Sequence, residues 1–385
     1  MANVPRFQYY LTTRRLNSEG GILSLDYVPE SFHPFVTVVS GEEFEKPITE
    51  KYPKLGGYWS NPDDVTTASG KRKWIHDNSP VDDFFLINAE TRFYTEVGEG
   101  KARVARNEPD HFFRNVRRME DLTNYYVGVA ANQKPFSGGL LKSASMLREN
   151  YVISAWFYWN RKFAQEHIEF DRVNYLDDCD YVLQSLYKGY RVCNFAGILY
   201  EHRTNVPQRQ FADRTESVQE RDTKRLIKMH PECVSRKPGY DPVNENIGVN
   251  IKFAKAYQPK KSVLIVSSAY SRAAASAMYL AVCQARKGFQ VKLAGLPGSA
   301  GQMKDIQTLR DLRASGLPTH GLDVSQLSAR VLNQADVVCF LSSADRKATN
   351  RLFPRVDPAK FRLVPTEENF SVTEMKKLRN LVKTI

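Results

Sequence analysis

The five cysteines of this 385-residue chain, Cys179, Cys193, Cys233, Cys283 and Cys339, form no C-x-x-C pair. Such scarcity and spacing exclude a disulfide framework and argue against a zinc site. Long apolar runs are lacking too. None reaches the length a bilayer requires, and the opening MANVPRFQYY has no apolar core of a secretory signal. The expectation is a cytoplasmic protein with no membrane anchor. No sequence repeat links one half of the chain to the other, which removes solenoids and arrays. Negative charge is in deficit: 43 Asp and Glu stand against 55 Lys and Arg, for a formal +12. That surplus suits a polyanionic partner, of which nucleic acid is the commonest.

What is present suffices for folding. A hydrophobic content of 42% with 11% aromatics belongs to a folded chain, and the length suits two domains. RFQYYLTTRRL, FVTVVSGEEF and DDFFLINAETRFY read as short β-rich runs, ASGKRKWIHDNS as a helix with a basic face, and EDLTNYYVGVAANQKPFSGGLL as a strand leading to a Gly-Gly turn. Strands alternating with helices predict an α/β domain with a mainly parallel sheet over residues 1–230, its ligands lying where strands end. Residues 231–261, rich in Pro, Gly, Asn and Lys, read as a linker. The pattern then restarts. KSVLIVSS, FQVKLAG and ADVVCFLSS are strands, while SRAAASAMYLAVCQARKG, MKDIQTLRDLRASG and SVTEMKKLRNLVKTI are helices, predicting a smaller doubly wound parallel-sheet, Rossmann-like domain over 262–385.

The sharpest local signal is LDDCDYVLQSLYKGYRV, which crowds Asp177, Asp178 and Asp180 at a helix start. One carboxylate caps a first turn well. Three repel one another, so a metal, a cationic partner or a substrate hydroxyl is the alternative. In AWFYWNRKF, Trp156, Phe157 and Trp159 cannot share one helical face and read as core, with base stacking as the second reading.

The ordered set YYLTTRRL, VVSGEE, GKRKWIHDNSPVDDFFLINAETRF, LDDCDYVLQSLYKGY, NVPQRQFADR and HPECVSRK resembles the TET-associated and base-J-type DNA-base glycosyltransferases of bacteriophages and kinetoplastids, over roughly the first two thirds of the chain. The resemblance implies a GT-A-like nucleotide-sugar-binding fold and transfer of a sugar from a UDP-sugar to 5-hydroxymethylcytosine in DNA, with arabinose favoured and glucose the alternative. It makes Asp178 the first candidate general base, with Asp177 and Asp180 beside it. A positioned carboxylate would help a hydroxyl that is a poor nucleophile at neutral pH. Thr12, Thr13, Arg14 and Arg15, with Gly70, Lys71 and Arg72, would meet the donor nucleotide. A solvated basic face is the plain alternative. Where the family usually has consecutive aspartates this chain has Asn88, Ala89 and Glu90. Asn88, Glu90 and His202 are then the candidate ligands of Mg or Mn, unless Arg92 or a nearby lysine neutralises the diphosphate.

Ser137, Gly138 and Gly139 would let backbone approach an acceptor closely, or form an ordinary turn. Two basic stretches are the candidate DNA contacts: one contains Arg114, Arg117 and Arg118, the other Arg203, Arg209 and Arg214. A duplex substrate would require a flipped base. Residues 262–385 loosely resemble a low-molecular-weight protein tyrosine phosphatase. VLIVSSAYSRAAASAMYLA has the strand, loop and helix frame and Arg272, but Ser267 stands where the cysteine nucleophile belongs. Without a thiolate that chemistry is lost, leaving a loop able to hold phosphate, with DNA contact, donor handling or assembly as roles. Two alternatives stay open: another acceptor (modified thymine, RNA or protein), and an inactive nucleic-acid-binding protein.

Overall fold

The computed structural model describes residues 4–17, 19–98, 101–134, 147–202, 216–239, 248–267, 288–296 and 324–364. The chain divides into two compact units. The first comprises Met1–Thr123, Val127–Tyr187 and Arg191–Tyr257; the second comprises Asn124–Tyr126, Lys188–Tyr190 and Gln258–Ile385.

The first unit is built on apolar runs that bury both faces. In β1 (Gln8–Thr12) the consecutive Tyr9, Tyr10 and Leu11 are all buried, and β2 (Val36–Ser40) and β4 (Phe84–Asn88) are buried almost throughout. Continuous burial is the mark of a strand inside a parallel array. With β3 (Gly57–Ser60) these strands lie parallel in the order β3-β2-β1-β4. β5 (Thr91–Gly98), β6 (Lys101–Val104), β7 (Gly128–Gln133), β8 (Leu147–Glu149), β9 (Trp156–Trp159) and β10 (Val192–His202) extend this to a ten-stranded mixed sheet, β3-β2-β1-β4-β9-β7-β10-β5-β6, with β8 on β10. β9 runs antiparallel to both neighbours, and β7 pairs parallel with β10. The aromatic run Trp156, Phe157, Tyr158 and Trp159 is thus a central strand, wholly buried, where period two replaces the helical face it could not share.

Helices cover the sheet. α1 (Leu23–Tyr27), α2 (Glu45–Lys51), α3 (Ala68–Asn78), α4 (Pro109–Leu122), α5 (Arg161–His167), α6 (Asp177–Tyr187), α7 (Glu216–Met229) and α8 (Phe253–Ala256) belong to this unit. Thr67 caps α3 by accepting the Gly70 N–H at 2.9 Å. Its inner side carries Ser69, Lys71, Arg72, Ile75 and His76, all buried, so the basic face expected in solvent is largely turned inward. α4 packs on β5, β7 and β10 through Phe112, Val116 and Met119. The fully buried Glu120 of α4 ties down the start of β1, accepting from the Arg6 and Phe7 amides, the Tyr9 hydroxyl (2.7 Å) and Arg117. The core between is aromatic: Tyr9 stacks on Phe85 and meets the edge of Trp156, which also packs on Phe32, Phe93 and Phe112.

Residues 231–257, read above as the start of a linker, carry β11 (Val234–Arg236) and β12 (Val249–Ile251), an antiparallel pair, and α8. They cluster with the first unit. In the second unit β13 (Lys261–Ser267), β14 (Phe289–Gly295), β15 (Val324–Gln326), β16 (Val337–Phe340) and β17 (Phe361–Leu363) form an all-parallel sheet in the order β15-β14-β13-β16-β17. Leu264, Val266, Ala294, Val338, Phe340 and Phe361 form its core with Leu327 and Leu332. Helices Ala329–Gln334 and Ser343–Leu352 are capped by Ser328 and Ser342, neither of which the sequence reading had placed. The three expected helices of this half lie outside the described residues. No helix among the described residues is long and apolar enough to cross a membrane.

Candidate active site

Two groups of side chains meet at one end of the large sheet. The first lies where β1 and β4 end side by side. β1 connects onward to β2 on one flank while β4 lies on the other, a topological switch point, and such crevices are where open α/β sheets take ligands. After Thr12, the buried Thr13 donates its hydroxyl to the Arg15 carbonyl at 2.7 Å and turns the chain. The Thr13 carbonyl accepts from Ser40 Oγ (3.0 Å) and from Lys71 Nζ (2.8 Å). Burial, and secondarily Arg14, lowers the Lys71 ammonium to about 8. Arg15 Nε donates to Glu90 Oε1 at 2.7 Å, joining the residues after β1 to those after β4.

The second group surrounds the start of α6. Leu176 holds a left-handed backbone (φ +65°), and its carbonyl receives the Cys179 and Asp180 amides, making an apolar residue the cap. Neighbouring positions on a helix point about 100° apart, so the three carboxylates part company. Asp177 turns to α3 and forms a buried ion pair with Arg72, whose guanidinium also sits 5.0 Å over the Phe157 ring. Asp180, fully buried, is held by His230 (2.7 Å), Gln184 (2.8 Å) and Arg172 (3.4 Å) in a structural network. Asp178 alone stays partly exposed. It accepts the Cys179 amide at 2.9 Å, and the nearby Ser154 hydroxyl favours its charged form. Burial of its carboxyl and the adjacent Asp177 charge push its proton affinity up, against the pull of Arg72. Burial and the Asp178 charge hold the Tyr200 hydroxyl well above its ordinary value.

Helix α3 and the turn at 154–155 couple the two groups. Consecutive residues of α3 reach both: Lys71 to Thr13, Arg72 to Asp177. Ser154 favours the charged form of Asp178, while the next residue, Ala155, left-handed at φ +64°, accepts the Asn88 amide at 2.7 Å. Two non-glycine residues in the left-handed region, Ala155 and Leu176, thus flank one carboxylate. Local strain of this kind concentrates at functional sites. Sequence reasoning missed Ser154, Ala155, Leu176 and Tyr200. The one available signal was Leu176, a poor capping type in front of two acids.

The remaining candidates are spread out. Asn88 ends β4 with its carbonyl taken by Ser24 Oγ, and Gly70 lies in the capped first turn of α3. Among the DNA candidates on α4, Arg114 is exposed, Arg118 is partly exposed and Arg117 is held by Glu120 at 3.0 Å. His202 ends β10 opposite Thr91, and Ser267 ends β13; their side chains, and all of Ser137, Gly138, Gly139, Arg203, Arg209, Arg214 and Arg272, lie outside the described residues. Among the described residues, no group of three or more His, Cys, Asp or Glu could hold a metal. Glu90 is held by a guanidinium instead.

No family model matches the chain, and no curated protein matches it. Solved structures do, over about a third of it. YwlE arginine phosphatase from Geobacillus stearothermophilus is 16% identical, covering 32% of this chain and 88% of its own, with a TM-score of 0.26. Wzb from Vibrio vulnificus in complex with benzylphosphonate is 14% identical over 32% and 92%, at 0.25. The low-molecular-weight protein tyrosine phosphatase from T. tengcongensis is 15% identical over 32% and 94%, at 0.24. The likeness to this phosphatase class is weak.

Proposed function

We propose that the first unit is a glycosyltransferase that moves a sugar from a UDP-sugar to the hydroxyl of 5-hydroxymethylcytosine in DNA. The observation that carries this reading is the coupling by α3 and the 154–155 turn of a cationic strand-end crevice to one partly exposed carboxylate of raised proton affinity. The donor diphosphate lies at the ends of β1 and β4, where Arg14, Arg15 and Lys71 offset its charge. Asp178 takes the proton of the acceptor hydroxyl as its oxygen attacks the anomeric carbon. The bond from that carbon to the diphosphate oxygen breaks, and UDP leaves with the electron pair. Arg72 is committed to Asp177, so its pull on the Asp178 proton stays secondary to burial and the Asp177 charge. Ser154 orients the Asp178 carboxylate.

Glu90 is engaged by Arg15 rather than left to a metal, and the charge of the diphosphate is offset by cationic side chains. The second unit, with Ser267 in place of the thiol, is read as a phosphatase-like fold without that nucleophile. The cationic surplus of the whole chain supports a DNA acceptor.

The test is nucleoside mass spectrometry of hydroxymethylcytosine DNA after incubation with the protein and UDP-arabinose, then UDP-glucose. The expected outcome is a gain of one pentose or one hexose on hydroxymethylcytosine, lost in Asp178→Asn. DNA binding with no gain from any UDP-sugar would leave the inactive nucleic-acid binder in its place.

A further inference from the structure

Residues 147–155 carry a feature that the reaction itself leaves unused. β8 is pinned antiparallel to β10, pairing Glu149 with Cys193 and Leu147 with Phe195, and Arg191 bonds Glu149 at 3.3 Å. The chain then turns at Asn150, left-handed at φ +51°, whose amide reaches the Val192 carbonyl at 2.8 Å. Tyr151 to Ser154 are therefore bracketed by two left-handed residues, Asn150 and Ala155, on a base fixed by strand pairing. Tyr151 is braced edge-on by Phe253 at 5.6 Å. Over its ring lies the Arg148 guanidinium, its carbon 3.3 Å from the ring centroid, and Arg148 is exposed.

This stack lies on the segment that reaches the site. Tyr151 is three residues before Ser154, and Ala155, next in the chain, accepts the Asn88 amide at 2.7 Å where β4 ends. A guanidinium lying flat on an aromatic ring presents a second flat, cationic face, and nucleobases stack on aromatic rings and on arginine planes alike. A flexible aliphatic or peptide acceptor gains nothing from such a plate.

We infer that Arg148 and Tyr151 form the stacking plate for the acceptor, a planar nucleobase that lies on this pair with its hydroxyl toward Asp178. The inference rests on the glycosyl-transfer reading and names the acceptor subsite of that site. The base of a single-stranded or flipped nucleotide is the chemistry the plate takes.

The experiment measures acceptor and donor KM, and the anisotropy-detected Kd of a fluorescent single-stranded oligonucleotide bearing one hydroxymethylcytosine, for wild type, Tyr151→Leu, Arg148→Ala, Tyr151→Phe and Lys46→Ala. Tyr151→Leu and Arg148→Ala are expected to raise the acceptor KM and the Kd about tenfold, with donor KM unchanged. Tyr151→Phe keeps the ring and restores both, and Lys46→Ala, an exposed cation on α2, changes Kd by far less. Binding of an oligonucleotide abasic at the modified position is expected to be equally weak in wild type and Arg148→Ala. Unchanged acceptor KM and Kd in both plate variants, or wild-type binding of the abasic strand as tight as the base-bearing one, overturns the plate. Absence of sugar transfer by wild type, with the Kd pattern retained, supports the plate while removing the transferase reading.

Discussion

Asp178 is held at a cost to the fold, and the cost has a sign. Its proton affinity is raised in the folded state by enclosure and by Asp177. The folded protein therefore binds that proton more tightly than the unfolded chain, and stability falls as pH rises through the folded pKa. Asp178→Asn removes the penalty and keeps an oxygen for the Cys179 amide. The variant is expected to melt higher than wild type at pH 7–8, by on the order of 1 kcal/mol, and the gap should close on acidification to below the ordinary carboxylate range. Thermal melts across pH measure this, and a variant less stable at neutral pH would sink the assignment. In transfer assays Asp178→Asn should lose 100-fold or more, roughly the worth of a general base. Ser154 stabilises the charged form of Asp178, so Ser154→Ala should move the acid limb of the kcat/KM profile to higher pH, and an unmoved limb removes Ser154 from the mechanism. The crowding of three aspartates at a helix start was legible in the sequence. Which of them stays partly exposed was not, because helical phase from Leu176 and tertiary partners, Arg72 for Asp177 and His230 for Asp180, decide it.

At the scale of elements, α3 is the clamp of the site. Its inner side holds Arg72 on Asp177 of α6, and Ser69 bonds the Tyr181 hydroxyl of the same helix. Cutting one partner of a buried ion pair leaves the other charge uncompensated. Arg72→Met should therefore cost about 3–5 kcal/mol, while the double variant Arg72→Met with Asp177→Leu recovers most of it. Urea denaturation of the four corners of this cycle measures the coupling, and additive costs would show the pair to be idle. The same helix holds His76 with both ring nitrogens unpartnered between Phe84 and Phe170, its pKa pushed by burial down to about 3. The unfolded chain binds this proton below about 6.5, so the group withdraws stability as pH falls from there toward 3. His76→Phe should flatten the acid side of the stability profile, read from urea midpoints between pH 4 and 7. The strands of this half were visible as apolar runs of β length. The inward turn of α3 was not, because Lys71 and Arg72 read as surface residues until Thr13 and Asp177 are in place to receive them.

For the whole molecule, the division into two units offers a clean optical separation. All four tryptophans, Trp59, Trp74, Trp156 and Trp159, lie in the first unit, Trp156 and Trp159 in its central strand β9. Tryptophan fluorescence therefore follows the unfolding of that unit alone, while calorimetry registers both. Each unit has its own sheet and its own apolar core, the condition under which a chain unfolds in more than one cooperative step. A nucleotide seated at the β1 and β4 ends binds only the folded first unit and must raise its stability by mass action. At 100 times Kd the gain is about 2.7 kcal/mol, enough to move a midpoint by roughly 5 °C or more in a unit of this size. UDP is expected to raise the fluorescence midpoint and the matching calorimetric transition, and to leave the other transition in place. Lys71→Met should abolish the shift, because its ammonium holds the Thr13 turn at the proposed donor site. A UDP-induced shift in the second transition alone would move the nucleotide site to the second unit, and no shift in either would remove the donor from the first.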